Sequence, residues 1–126
     1  MVVSGFYEWQ VRGKKKQPFF VHREDGKPFA LAGLWATWRA HDGQVVDSCS
    51  VITRVPSSML AVVHDRMPVV LAPTDYDRWI DPETPDPTTF LEGPGEDLVM
   101  HPVRALVNKA GVEGSHLIER DDHTLG

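Results

Sequence analysis

Hydrophobic and polar positions alternate in short runs along most of the chain, and Gly, Pro, Asp and Lys punctuate the runs. This pattern predicts short strands joined by hairpins rather than long helices. Val2 to Trp9 reads as the first strand. Residues 11–17, with Arg12, Gly13 and three consecutive lysines, read as a polar hairpin turn. Pro18 to Arg23 and Pro28 to Trp38 read as the next two strands, joined by Glu24-Asp25-Gly26-Lys27, in which Asp-Gly is a hairpin signal. The run from Phe29 to Trp38 is nearly all apolar and is expected to be buried. Trp35 and Trp38 then sit in the core, or one of them stacks on a base. Gln44 to Thr53 is a further strand, with Cys49 expected as a buried, inert thiol.

Later elements are helical or irregular. Residues 56–61 read as a short helix, with Pro56 in its first turn and Ser57 or Thr53 as its cap. A second short helix follows, with Thr74 as N-cap and Asp77 as the acid of a capping box. Residues 81–97 hold four prolines and six acids and read as an irregular surface segment with one helical turn at Thr88–Glu92. Residues 98–103 form a last strand. Residues 111–126 are polar, have little to bury, and are expected to be a flexible tail behind a domain of residues 1–110. The fold class expected is α+β: a mainly antiparallel, barrel-like sheet with a few short helices.

At 126 residues the chain suits one domain, with 41% hydrophobic and 25% charged residues. No apolar run reaches the roughly 18 residues of a membrane helix, and no secretory signal is visible. Cys49 is the single cysteine, so no internal disulfide forms and a reducing cytoplasm is the expected compartment. Charge changes the picture. The net −5 divides into +4 over residues 1–41 and −9 over residues 42–126. That balance argues against a chain coated for nucleic acid. A local basic face can still bind phosphate, because screening limits the reach of distant acids to about 10 Å.

Two stretches carry candidate chemistry. In the first, Val62-Val63 leads into His64-Asp65-Arg66, and Val69-Val70-Leu71 leads out. A base, an acid and a cation in a row between apolar runs form either a surface loop with an ion pair or a site. In the second, Glu8 sits among Phe6, Tyr7 and Trp9. Strand alternation puts Phe6 and Glu8 on one face. Glu8 is then either a strand-end carboxylate in water or a partly desolvated one with a raised pKa, suited to proton transfer. The six histidines show no paired metal-ligand spacing, no Ser-His-Asp or Cys-His constellation is evident, and no cofactor is implied.

Gly5-Phe6-Tyr7-Glu8-Trp9 and His64-Asp65-Arg66-Met67-Pro68 together resemble the SOS response-associated peptidase (SRAP) family. Pro18-Phe19-Phe20, Ala32-Gly33-Leu34-Trp35, Ile52-Thr53 and the closing strand agree, so the resemblance covers about residues 1–110. It implies a protein that senses abasic sites in single-stranded DNA and works at the nucleoid. An N-terminal cysteine attacks the sugar aldehyde through its amine and closes a thiazolidine ring through its thiol. By position, the resemblance makes Glu8 and His64 the catalytic pair. It gives Arg66 a phosphate contact and Thr53 the pocket edge, and Trp35 is the candidate base-stacking residue. The chain departs from the family where it begins: Met1-Val2-Val3-Ser4 stands directly before the first motif, and position 2 is not cysteine. The expectation is an N-terminally truncated chain holding half of a bipartite site. Sheet edges and apolar surface exposed in this way favour self-association. Two other readings are a noncovalent single-strand binder and a peptide hydrolase.

Overall fold

The computed structural model describes residues 1–93 and 97–122. Its strands are β1 (Val2–Val3), β2 (Phe6–Arg12), β3 (Lys15–Arg23), β4 (Phe29–Leu31), β5 (Gly33–Arg39), β6 (Val45–Val51), β7 (Thr53–Arg54), β8 (Met67–Pro68), β9 (Val70–Leu71) and β10 (Leu98–Pro102). One short α-helix, α1 (Tyr76–Ile80), and several 3-10 turns complete the described elements. The expected strand content and the antiparallel pairing are present. The expected barrel is not: among the described residues no sheet exceeds three strands and none closes on itself. Barrel closure needs unbroken strand-to-strand pairing around a ring. Here the apolar runs read as single strands are interrupted at Ala32 and at Ile52, which separates β4 from β5 and β6 from β7.

The chain divides into two compact units. In the first (residues 1–3, 29–54 and 68–93), β4 pairs antiparallel with β1 and β9, in the registers Val2↔Ala30 and Ala30↔Leu71. The terminal ammonium of Met1 donates to the Leu31 carbonyl at 3.0 Å, which extends the same ladder. Ala32, Val69, Leu71 and Phe90 form the core, with Ile52, Tyr76, Trp79 and Leu91 packed on it. Helix α1 contributes Trp79, whose ring meets Phe90 edge-on at 6.3 Å. Thr74 does not cap this helix. Pro73 opens a 3-10 turn over Pro73–Asp75, and Thr74 lies inside that turn with no side-chain cap bond formed.

The β5–β6 hairpin belongs to the same unit and reverses an expectation. Its seven pairs run from Gly33↔Val51 to Arg39↔Val45. Yet Trp35 is 79% exposed and Trp38 58%, and Leu34 is exposed too. Cys49, opposite Trp35, is also exposed rather than buried. An apolar run predicts burial only if another layer covers it, and the two strands of this ribbon present both faces outward.

The second unit (residues 4–28, 55–67 and 97–122) is built on the antiparallel sheet β10-β3-β2. Its registers include Phe6↔Val21, Glu8↔Phe19 and His101↔Phe20. Strands β2 and β3 extend further than the sequence pattern suggested. Lys15 and Lys16 pair with Arg12 and Val11, so the turn shrinks to Gly13-Lys14, with Gly13 at φ +59°. Gly5 passes so close to β3 that a Cβ there would lie 2.6 Å from the Val21 carbonyl oxygen. Val21, Leu60 and Val103 are fully buried, and Val63 is nearly so. The helix expected over 56–61 is instead a single 3-10 turn at Leu60–Val62. So short a segment does not repay α-helix nucleation, and Ser57 Oγ offers Leu60 N–H only a long 3.5 Å contact. Beyond β10, Val103 bridges Arg120, and the Asp121 N–H donates to the Pro102 carbonyl at 2.9 Å.

Candidate functional site

Strand β2 is the edge of its sheet, and an open cleft of about 480 Å3 runs along that edge. Glu8, Trp9, Val11, Lys16, His64, Val107 and Asn108 line it, all within the second unit. A neighbouring cleft of about 430 Å3 is lined by Trp9, Gln10, Val11 and residues 61–65. Two residues 56 positions apart in sequence, Glu8 and His64, thus face one space.

Glu8 is held on β2 opposite Phe19 and is half-buried. Burial pushes its carboxyl above the usual range. The His64 imidazole and the Trp9 backbone N–H pull it back down, and nearby Asp65 pushes it up again. The net direction is upward, and desolvation is the largest cause.

His64 follows the Leu60–Val62 turn, and its backbone N–H donates to the Leu60 carbonyl at 2.9 Å. Buried Leu60 and Val63 anchor this turn, so its backbone is fixed while the imidazole stays exposed. Unprotonated, Nδ1 accepts the Arg66 backbone N–H at 3.1 Å. The Arg66 carbonyl lies 3.1 Å and the Asp65 carboxylate 3.2 Å from the same nitrogen, so a protonated Nδ1 also finds acceptors. Both protonation states of His64 therefore have partners, a property that suits a residue cycling a proton.

Side chains tie the cleft walls together. Gln10 Nε2 on β2 donates to the Val62 carbonyl on the His64 turn at 2.5 Å. The Trp9 indole N–H donates to Asn108 Oδ1 at 2.6 Å. Sequence patterning carried no signal for Asn108, which comes from a 3-10 turn 99 residues after Trp9. Lys16 lay hidden in a run that read as a loop tip. Arg66, two residues past His64, is exposed and does not line the cleft. Thr53 and Trp35 are exposed residues of the first unit and are not among the cleft's lining residues.

The sequence model of one family, "SOS response associated peptidase (SRAP)", matches residues 1–110. This chain belongs to the SRAP family. Among the relatives of this SRAP chain is the abasic site processing protein YoaM of Bacillus subtilis, 31% identical over 125 residues. That match covers 95% of the chain and 55% of YoaM. The abasic site processing protein YedK of Escherichia coli is 31% identical over 121 residues, covering 92% of this chain and 54% of YedK. The chain thus spans about half the length of these curated relatives. A solved structure from Bacteroides thetaiotaomicron superposes with a TM-score of 0.83 at 20% identity, covering 96% of this chain and 55% of that one. The fold is shared. Among the described residues no helix is long and apolar enough to cross a membrane.

Proposed function

We propose that this SRAP chain acts on abasic sites in single-stranded DNA, with Glu8 and His64 as the proton-handling pair of its cleft. The observation that carries the reading is the shared lining of one open cleft by a desolvated carboxylate and an imidazole that couples to it. The names of its relatives, which process abasic sites, supply the substrate class.

The chemistry has a definite proton count. An amine adds to the sugar aldehyde to give a carbinolamine, and loss of water gives the imine. A thiol then adds to the imine carbon and closes a thiazolidine. Over the first two steps two protons leave the amine nitrogen, one to the carbonyl oxygen and one to the departing hydroxyl, and in the third the thiol proton passes to the imine nitrogen. Glu8, whose carboxyl burial holds above its usual range, and His64, whose Nδ1 has both a donor and acceptors beside it, can exchange those protons. Arg66, beside the His64 turn, contributes a guanidinium for a phosphate, and Lys16 is a cation that lines the cleft. Thr53 and Trp35 serve as DNA contacts, Trp35 by stacking on a base. The amine and thiol belong to an N-terminal cysteine. The only cysteine in the sequence given is Cys49, an internal residue without a free α-amine.

That last fact favours, for the chain as given, the second reading: noncovalent binding to abasic single strands at the nucleoid. A peptidase reading has less support, because the described residues lining the cleft include no serine, threonine or cysteine. Self-association is proposed through the exposed β5–β6 hairpin, where Leu34, Trp35 and Trp38 lie open.

Incubation with an abasic single-stranded oligonucleotide, followed by a denaturing gel, tests the scheme. The chain as given forms no denaturation-resistant band, and a chain preceded by a relative's Cys-bearing N-terminal segment forms one. Glu8→Gln or His64→Ala in that extended protein slows the band while circular dichroism stays native. A crosslink formed at full rate by both variants contradicts the assignment.

A further inference from the structure

A second cluster lies in the same unit, on residues that do not line the cleft. His22 on β3 and His101 on β10 are diagonal cross-strand neighbours, since His22 pairs with Val99 and His101 lies two residues on. His22 Nε2 and His101 Nδ1 are 3.2 Å apart, with the rings at 72°. The outer nitrogens are occupied as well. His22 Nδ1 lies 2.7 Å from the Arg23 carbonyl oxygen, and His101 Nε2 lies 2.8 Å from that of Ile118.

A carbonyl oxygen can only accept, so both outer contacts are satisfied when each neutral ring carries its one N–H on its outer nitrogen. With both protons outward, the two inner nitrogens are lone pairs 3.2 Å apart, which a cation can bridge. Ligating histidines characteristically give their second N–H to a carbonyl or carboxylate, which fixes the tautomer. Both rings do so here. With Zn–N bonds of about 2.0–2.1 Å, the nitrogen-to-nitrogen edge of a tetrahedral site is about 3.3 Å, close to the observed spacing. Phe20 stacks on His22 at 5.2 Å and 16° and holds that ring's plane. Imidazole nitrogen selects Zn2+, Cu2+ or Ni2+ over Mg2+ or Ca2+.

We propose that His22 and His101 chelate a borderline divalent cation, Zn2+ being the probe of choice, with water completing its coordination. Among the described residues no group of three or more His, Cys, Asp or Glu ligands forms, so this is a two-imidazole site, weaker than a closed structural one. Through the Ile118 carbonyl, the bound metal steadies the Ser115–Ile118 turn against the sheet.

The test uses the full chain without a polyhistidine tag, stripped with EDTA and titrated with Zn2+. Long-range proton–nitrogen NMR reads each imidazole, and thermal unfolding reads stability. Zn2+ is expected to move His22 Nε2 and His101 Nδ1 together and to raise Tm, both effects reversed by EDTA. His22→Gln and His101→Gln, each checked for a native amide spectrum, lose at least about tenfold in apparent Zn2+ affinity. The proposal is overturned if Zn2+ leaves both rings unmoved. It is equally overturned if the inner nitrogens prove to share one proton that Zn2+ does not displace, or if both variants bind Zn2+ as the parent does.

Discussion

Gln10 Nε2 donates to the Val62 carbonyl oxygen at 2.5 Å and so joins the strand that carries Glu8 to the turn that carries His64. Arg12 Nε in turn donates to Gln10 Oε1 at 2.6 Å, which orients the amide. This lateral tie adds to the burial of Leu60 and Val63 in holding the turn. Gln10→Ala removes a hydrogen bond whose net worth is about 1 kcal/mol. Urea unfolding should show that loss, and the His64 ring resonances should broaden or shift. An unchanged His64 spectrum would mean the turn is held by Leu60 and Val63 alone.

The Glu8 carboxyl is raised above 4.5 in the folded protein, chiefly by burial. Ionisation of such a group therefore opposes folding. The opposition is absent well below pH 4.5 and complete once pH has passed the raised folded value. Glu8→Gln should leave Tm unchanged in acid and raise it slightly near neutrality, since a half-buried group is partly screened by solvent. A Tm lower than the parent's across the whole pH range would show that the carboxylate is a structural partner instead.

His64 lowers the Glu8 carboxyl and Asp65 raises it. Deleting the imidazole removes the lowering influence and keeps the raising one. In His64→Ala the Glu8 titration midpoint, followed by carbon NMR of the carboxyl, should therefore move up. A midpoint that stays put would mean the two groups do not sense each other across the cleft.

Two leucines test how burial is distributed. Leu60 is fully buried and Leu34 is 58% exposed. Leu60→Ala should cost about 2–5 kcal/mol in chemical denaturation. Leu34→Ala should stay within about 0.5 kcal/mol. A large loss at Leu34 would mean that the β5–β6 hairpin is covered in solution, and its concentration dependence would identify a second copy as the cover.

Turn positions were legible in the sequence where turn chemistry was strong. Asp25-Gly26 makes the expected turn, with Gly26 at φ +69° and the Arg23 guanidinium on Asp25 at 2.7 Å, but not the expected hairpin: β3 pairs with β2 and β10, and β4 with β1 and β9. Alternation around Glu8 left a solvated and a partly desolvated carboxylate both open, and burial raising the Glu8 carboxyl favours the second. Burial was harder to read. The apolar stretch from Leu34 to Trp38 looked like core because composition reports what a strand is able to bury, not what is present to cover it. Asn108 and the meeting of His22 with His101 were invisible because both depend on pairings across 79 to 99 residues, which no local period encodes.

The central claim is that Glu8 and His64 together receive an abasic sugar. Its most direct test is an NMR titration with two single-stranded oligonucleotides of equal length and sequence, one intact and one bearing a single abasic site. The abasic strand should shift the Glu8 carboxyl carbon and the His64 ring nitrogens together, and the intact strand should shift them much less. If the abasic strand binds and moves other residues while both of these stay where they were, the claim is contradicted.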